Sequence, residues 1–468
     1  MNLKERTIFS SEIFKQKNES LSIKKTYNVN LILSLMHLIF GALLIKRLPI
    51  KIYSASILFL GIYFIFKSKN KNNEAALWSA YMVGAEVFFR MSKGLFFYEF
   101  PKYSVLLFLF TGMLVEQRKH HVSISFLIYI LLLLIGIAFV NIPYTESIRT
   151  NIAFNLSGPV VLGVSAIYFY RRLIPINTLF NMLFVMCLPI ISMIGLLYMK
   201  TPDINDIVFG GVSNSLASGG YGPNQVSTLL GLGAFIFVIY LFFKKRFFSF
   251  FYLDILMLMY LIYRGLVTLS RGGMITAFLA ISVFTYYYII SSEDKIKNIL
   301  KYAGIIGVFG IGLWVYTSEV TGGMLMNRYT NKNAQGIEKE DVSAGRFAIF
   351  ESELEGLYEN PFFGLGVGGG KYYRLETMDL KIASHNELSR LLGEHGFIGI
   401  IILLILIIIP TNHILNQPYL ARAFLASFFI FWFLTINHSA MRIAFPGFIY
   451  GLSLMKITKD EENTIHRK

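Results

Sequence analysis

His385 stands in Ala383-Ser384-His385-Asn386-Glu387-Leu388, and ten residues later His395 stands in Leu392-Gly393-Glu394-His395-Gly396. Histidine is the side chain best suited to moving a proton near neutral pH. Ser384 and Glu387 have the S-x-x-E spacing of a capping box, so a helix is expected to begin at His385 with its free N–H groups beside the ring. Those dipoles disfavour protonation and leave a neutral imidazole able to act as general base. Three arginines on other segments complete a candidate site. Arg271, in Thr268-Leu269-Ser270-Arg271-Gly272-Gly273, marks the point where an apolar segment meets the surface. Arg346, in Ser343-Ala344-Gly345-Arg346-Phe347, opens an expected helix over 345–358, where the helix dipole disfavours a cation. Arg149, in Glu146-Ser147-Ile148-Arg149-Thr150-Asn151, lies in a further loop. Each alone reads as a snorkelling or ion-paired residue, whereas together their forked donors can clamp a diphosphate.

The remaining motifs favour plainer readings. Gly364-Leu365-Gly366-Val367-Gly368-Gly369 satisfies G-x-G-x-x-G in form, and Gly370-Lys371 imitates the end of a phosphate-binding loop. No strand–turn–helix unit surrounds them, and Tyr372 stands where Ser or Thr is required, so the run is expected to be irregular backbone. Glu86 and Arg90 share a helix face and read as a structural ion pair. Asp203 and Asp206 read as a solvated loop. The His385–His395 spacing is not that of metal ligands and H-E-x-x-H is absent, so neither metal nor cofactor is expected.

The elements that must position these residues are membrane helices. Of the 468 residues 55% are hydrophobic and only 15% charged, with a mean hydropathy of +0.57. That composition belongs to a polytopic membrane protein. Apolar runs recur between residues 29 and 455 and suggest an all-α transmembrane bundle of roughly 12–14 spans. A net charge of +15 is divided among short connectors such as Lys67/Lys69/Lys71, Arg118/Lys119, Arg171/Arg172, Lys244/Lys245/Arg246 and Lys295/Lys297. This is the positive-inside pattern rather than a nucleic-acid groove. It places segments 93–101, 141–155, 200–222, 265–271 and 318–395 on the outer side, with Lys46, Arg47 and Lys51 as an exception. The expected organisation is a cytoplasmic segment at 1–28, a transmembrane bundle at 29–317 and a large outer loop with short helices at 318–395. C-terminal transmembrane helices at 396–455 and a cytoplasmic tail at 456–468 follow. The first helix is expected to be an uncleaved anchor. Cys187, the only cysteine, excludes a disulfide within the chain and a multi-thiolate metal site.

Gly345-Arg346-Phe347, Glu359-Asn360-Pro361-Phe362-Phe363-Gly364-Leu365-Gly366, Ser384-His385-Asn386-Glu387 and Gly393-Glu394-His395-Gly396-Phe397-Ile398-Gly399 resemble the signature region of the O-antigen ligase and O-antigen polymerase superfamily. Thr268-Leu269-Ser270-Arg271-Gly272-Gly273 and Gly222-Pro223-Asn224-Gln225 are similar to its upstream segments, and the likeness covers roughly residues 210–400. The resemblance implies a multi-pass glycosyltransferase of the bacterial inner membrane with its active site facing the periplasm. Its donor would be a glycan on undecaprenyl diphosphate, and its acceptor a lipid A core or a growing glycan. It further implies a metal-independent, inverting reaction with His385 as base, Arg271 and Arg346 on the diphosphate, and Arg149 and Asn386 as additional substrate-binding residues. The competing reading is a lipid-linked glycan flippase or polysaccharide exporter, which would place ionisable groups at mid-membrane.

Overall fold

The computed structural model describes residues 28–459 except 44–45, 118–120, 144, 293–294, 342 and 344. Nearly all of the expected N-terminal segment 1–28, the tail beyond Lys459 and the connector Arg118-Lys119 lie outside the described residues. Eleven helices come first: α1 (Asn28–Leu43), α2 (Arg47–Ser68), α3 (Glu74–Met91), α4 (Phe100–Val115), α5 (Ile124–Ile135), α6 (Ile148–Phe169), α7 (Ile176–Lys200), α8 (Pro223–Phe242), α9 (Phe251–Val267), α10 (Arg271–Ser291) and α11 (Lys295–Val320). The polar segment then forms α12 (Met324–Tyr329), α13 (Arg346–Glu359), α14 (Gly370–Met378) and α15 (Glu387–His395). Three further helices close the fold: α16 (Phe397–Leu415), α17 (Tyr419–Ser439) and α18 (Phe445–Leu452). Two three-residue strands, β1 (Leu173–Pro175) and β2 (Lys456–Thr458), pair in parallel.

The architecture is the all-α, polytopic one expected. Among the described residues seven helices, α2, α6, α7, α8, α10, α16 and α17, are long and apolar enough to cross a membrane, and α1, α4 and α5 are shorter apolar helices. Part of the difference from the 12–14 apolar runs lies in α3, which carries Glu74, Glu86 and Arg90, and in α9, which is 17 residues long. At 1.5 Å per residue a helix of that length falls slightly short of the hydrocarbon core.

Helices α7 and α8 form the buried spine of the bundle. Around it α3 lies along α7, α10 sits against both α8 and α17, and α6 packs on α18. Close approach depends on small residues, as expected where lipid supplies no hydrophobic drive for helix association. The pair after Arg271 shows why. A Cβ at Gly272 would come within 2.5 Å of the His438 ring on α17, and one at Gly273 within 2.5 Å of the Thr228 nitrogen on α8. Gly273→Ala should therefore cost about 1–3 kcal/mol by overpacking and displace the N-terminus of α10. Thermal melts in detergent check this, with Gly304→Ala as control, because nothing lies within 4 Å of a Cβ there.

Contacts gather the segments expected on the outer side at one end of the bundle. Lys200 Nζ donates to the Met91 carbonyl, and Arg264 donates to Thr201 Oγ1 and the Ala217 carbonyl. Lys339 and Arg328 donate to the Gly211 carbonyl, and Lys381 pairs with Glu146. The exceptional basic hairpin lies at this end too, with Lys51 Nζ 5.4 Å from the Phe96 ring centre and Ser54 Oγ on the Gly94 carbonyl. Glu86 and Arg90 form the expected ion pair at 2.6 Å. The second Glu86 oxygen accepts from the Ala444 nitrogen, which ties α3 to the start of α18.

Candidate active site

Two guanidinium groups hold the chain that leads into His385. Arg374 on α14 donates through Nε and Nη2 to the Ile382 carbonyl at 3.1 and 2.9 Å. Arg442, in the break between α17 and α18, donates through Nη2 to the Ser384 carbonyl at 2.7 Å and the Ala383 carbonyl at 3.4 Å. The His385 carbonyl itself accepts from the Ala440 nitrogen at 3.1 Å. Four consecutive carbonyls are thus fixed by groups from outside the loop, which is how an irregular segment becomes a rigid support for a side chain.

The helix after His385 starts later than its sequence suggests. Asn386 is the N-cap of α15, its Oδ1 accepting from the Leu388 nitrogen at 2.9 Å. Ser384 forms a local turn, accepting from the Asn386 nitrogen and donating to the Asn386 carbonyl. Glu387 binds Arg390 instead of reaching back, so the capping box does not form. A buried guanidinium three residues on offers the carboxylate a stronger partner than a backbone N–H. Asn386, expected on the substrate, uses its side-chain oxygen to cap this helix.

His385 is nevertheless held neutral. Burial first, then the charges of Arg442 and Arg346 and more weakly that of Arg374, push its imidazole down to about 4, with the Ala383 carbonyl opposing. Its Nδ1 is buried and makes no well-formed hydrogen bond among the described residues. Field and burial therefore replace the helix dipole as the cause of neutrality.

The arginines beyond His385 repel one another. Arg271 opens α10 and donates through Nη1 to the Arg328 carbonyl at 3.2 Å. Arg328, on α12, donates to the Leu269 and Gly211 carbonyls, and burial together with the charges of Arg271 and Arg346 pushes it down to about 10. Arg346 opens α13 as expected, behind Gly345 in the left-handed conformation at φ 78°. Desolvation and the charges of Arg271 and Arg442 lower it. Cations brought together in this way create a field that an anion relieves. Arg149 is exposed on the first turn of α6.

Behind the loop a charge network fixes α15. Arg390 pairs with Glu387 and, at 2.7 Å, with Glu394. Glu353 accepts from Arg374 at 3.2 Å and from Ser389 Oγ at 2.5 Å. Arg374→Met would leave Glu353 buried without its cation and the Ile382 carbonyl without a donor, a loss of about 3–5 kcal/mol. Burial already raises the Glu353 carboxyl. Losing Arg374 raises it further, so melting curves should show a smaller loss at pH 5 than at pH 8.

His395 ends α15 with 1% of its surface exposed, packed against Gly136 and Val367, and burial followed by the Arg390 charge pushes it down to about 3. It stands on the packing side of α15, not beside the arginine group. The glycine run is irregular backbone, as expected. Gly364 and Gly366 have φ of 67° and 73°, and a Cβ would strike the Glu394–His395 backbone at the first and the Phe139 backbone at the second. Asp203 and Asp206 flank a short 3-10 turn. Among the described residues no three His, Cys, Asp or Glu side chains come together as a metal site.

With this geometry the matched segment is informative: residues 256–404 match the family model described as O-antigen ligase. Over those residues the chain is similar to the O-antigen ligase family. No curated protein matches the chain. The family is one of multi-pass membrane glycosyltransferases of the ligase and polymerase type, acting on lipid-linked glycans and acceptors. The matched segment spans Arg271, Arg328, Arg346, Arg374 and His385, and ends before Arg442. Sequence reasoning missed Arg328 and Arg442. Arg328 sits in Met326-Asn327-Arg328-Tyr329 without a distinctive motif, and only its expected outer position could have singled it out. Arg442 had one signal, an arginine inside the last apolar stretch.

Proposed function

We propose that the protein transfers a glycan from undecaprenyl diphosphate to an acceptor sugar at the periplasmic face of the bacterial inner membrane, without a metal and with inversion at the anomeric carbon. The observation that carries this reading is the arrangement itself. A neutral, rigidly held imidazole stands in the field of Arg346, and Arg346 in turn faces the charge of Arg271, with Arg328 sensing both arginines. In the reaction the acceptor hydroxyl attacks the anomeric carbon while the bond to the diphosphate oxygen breaks, and His385 takes the hydroxyl proton. The electron pair leaves on the diphosphate, where Arg271, Arg346 and the newly found Arg328 meet the charge.

Binding of the diphosphate also tunes the base. Its negative charge offsets the arginine field that holds His385 down, so the imidazole becomes a better proton acceptor only once the donor is in place. Asn386 supports the base as the cap of α15, and Arg149, exposed on the first turn of α6, is assigned to a further substrate group. The acceptor is a lipid A core in a ligase or the next repeat unit in a polymerase.

The test uses a strain that lacks the gene, with the surface-polysaccharide ladder read on gels and the lipid-linked donor read by its accessibility to a periplasmic glycosidase. Loss of the ladder with donor accumulating on the periplasmic side supports transfer. Donor retained on the cytoplasmic side would replace this reading with that of a flippase.

A further inference from the structure

A cavity of about 320 Å³ opens beside Ala383 and Ser384, just ahead of His385 in the chain. Its walls come from the first two turns of α6, from the start of α14 and from the His385 loop. Asn151, Asn155, Thr150 and Ser147 present amides and hydroxyls, Lys371 and Glu146 supply one charge of each sign, and Phe154 supplies an apolar face. Behind this wall the Tyr372 side chain is 3% exposed, and its hydroxyl has Asn151 and Glu146 as polar neighbours.

We propose that this cavity is the acceptor subsite and binds the terminal pyranose of the incoming glycan. The proposal rests on the transferase reading given above. Sugars are recognised by amides and hydroxyls at their rims and by an aromatic face against their C–H surface, which is the chemistry of this wall. Charges of both signs nearly cancel there, so the lining fits a neutral sugar and differs from the cationic diphosphate group. In-line displacement requires the attacking hydroxyl on the face opposite the leaving group. Ala383 and Ser384, the two residues before His385, line the cavity, and Arg442 lies over Phe154 at 5.9 Å and holds the Ser384 carbonyl. Neither Arg271, Arg328 nor Arg346 lines the cavity.

The experiment titrates a single repeat unit, cut from the host strain's own surface polysaccharide and free of lipid, onto the full chain in nanodiscs. Undecaprenyl diphosphate is titrated separately. Wild type should bind both. Asn151→Leu removes the amide from the wall while its helix keeps its Ser147 cap, and should weaken the saccharide about tenfold without changing undecaprenyl diphosphate binding. Thr150→Val should act in the same direction, and Arg271→Gln should show the reverse pattern. Matched melting temperatures guard against misfolding. An unchanged saccharide affinity in both cavity variants, displacement of the saccharide by undecaprenyl diphosphate, or no saccharide binding to wild type overturns the proposal. His385→Ala should bind the saccharide as wild type does. If that variant still turns over, the base assignment fails, while the binding data continue to decide the cavity.

Discussion

His385→Ala is expected to lower glycan transfer about 10²–10⁴-fold in reconstituted membranes supplied with donor and acceptor. Donor binding should be retained, because the arginines that meet the diphosphate stand on other elements. The pH profile gives the sharper result. In the donor-free protein burial and the charges of Arg442 and Arg346 hold the imidazole down to about 4, so the acid limb of kcat/KM should lie well below the usual histidine value of 6.5. With the diphosphate bound, part of that field is cancelled, so the acid limb of kcat should lie above that of kcat/KM. Superimposable limbs would mean that His385 and the donor do not sense one another. The same shift affects stability in a defined direction. A histidine lowered from 6.5 to about 4 binds its proton more readily when unfolded, so its contribution favours the folded state above pH 6.5 and turns against it as pH falls toward 4.

Arg271→Gln and Arg346→Gln are each expected to lower kcat about 10²–10³-fold, the usual loss when one preorganised donor to a developing charge is removed. Lysine should rescue poorly at either position, because a point charge cannot reproduce a forked pair of donors. The two variants should differ in one respect. Arg346 lowers His385 directly, whereas Arg271 acts on Arg328 and Arg346. Arg346→Gln should therefore move the acid limb of kcat/KM upward, and Arg271→Gln should leave it nearly in place. Equal limbs in the two variants would separate the arginine group from the base.

Much of this protein was determined by its sequence alone. Hydropathy and the distribution of charge specify an all-helical membrane bundle, because every backbone group in a bilayer must be satisfied within its own helix or a closed barrel. The helix over 345–358 was legible from local chemistry, as was the irregular glycine run, and the structure places α13 at Arg346–Glu359. Arg271, Arg346 and His385 could be named from their motifs. Their neighbourhood could not. Ser384 and Glu387 carried a sound local signal for a helix start, and it was overridden because folding delivers Arg390 and Arg442 to those groups from one turn away and from the far side of α17. Arg328 and Arg442 come near the other candidate residues only when separate segments meet at one end of the bundle. Local propensity is written in neighbouring residues, but the field that holds a base neutral is a sum over charges distant in sequence, which only the packed helices bring within reach.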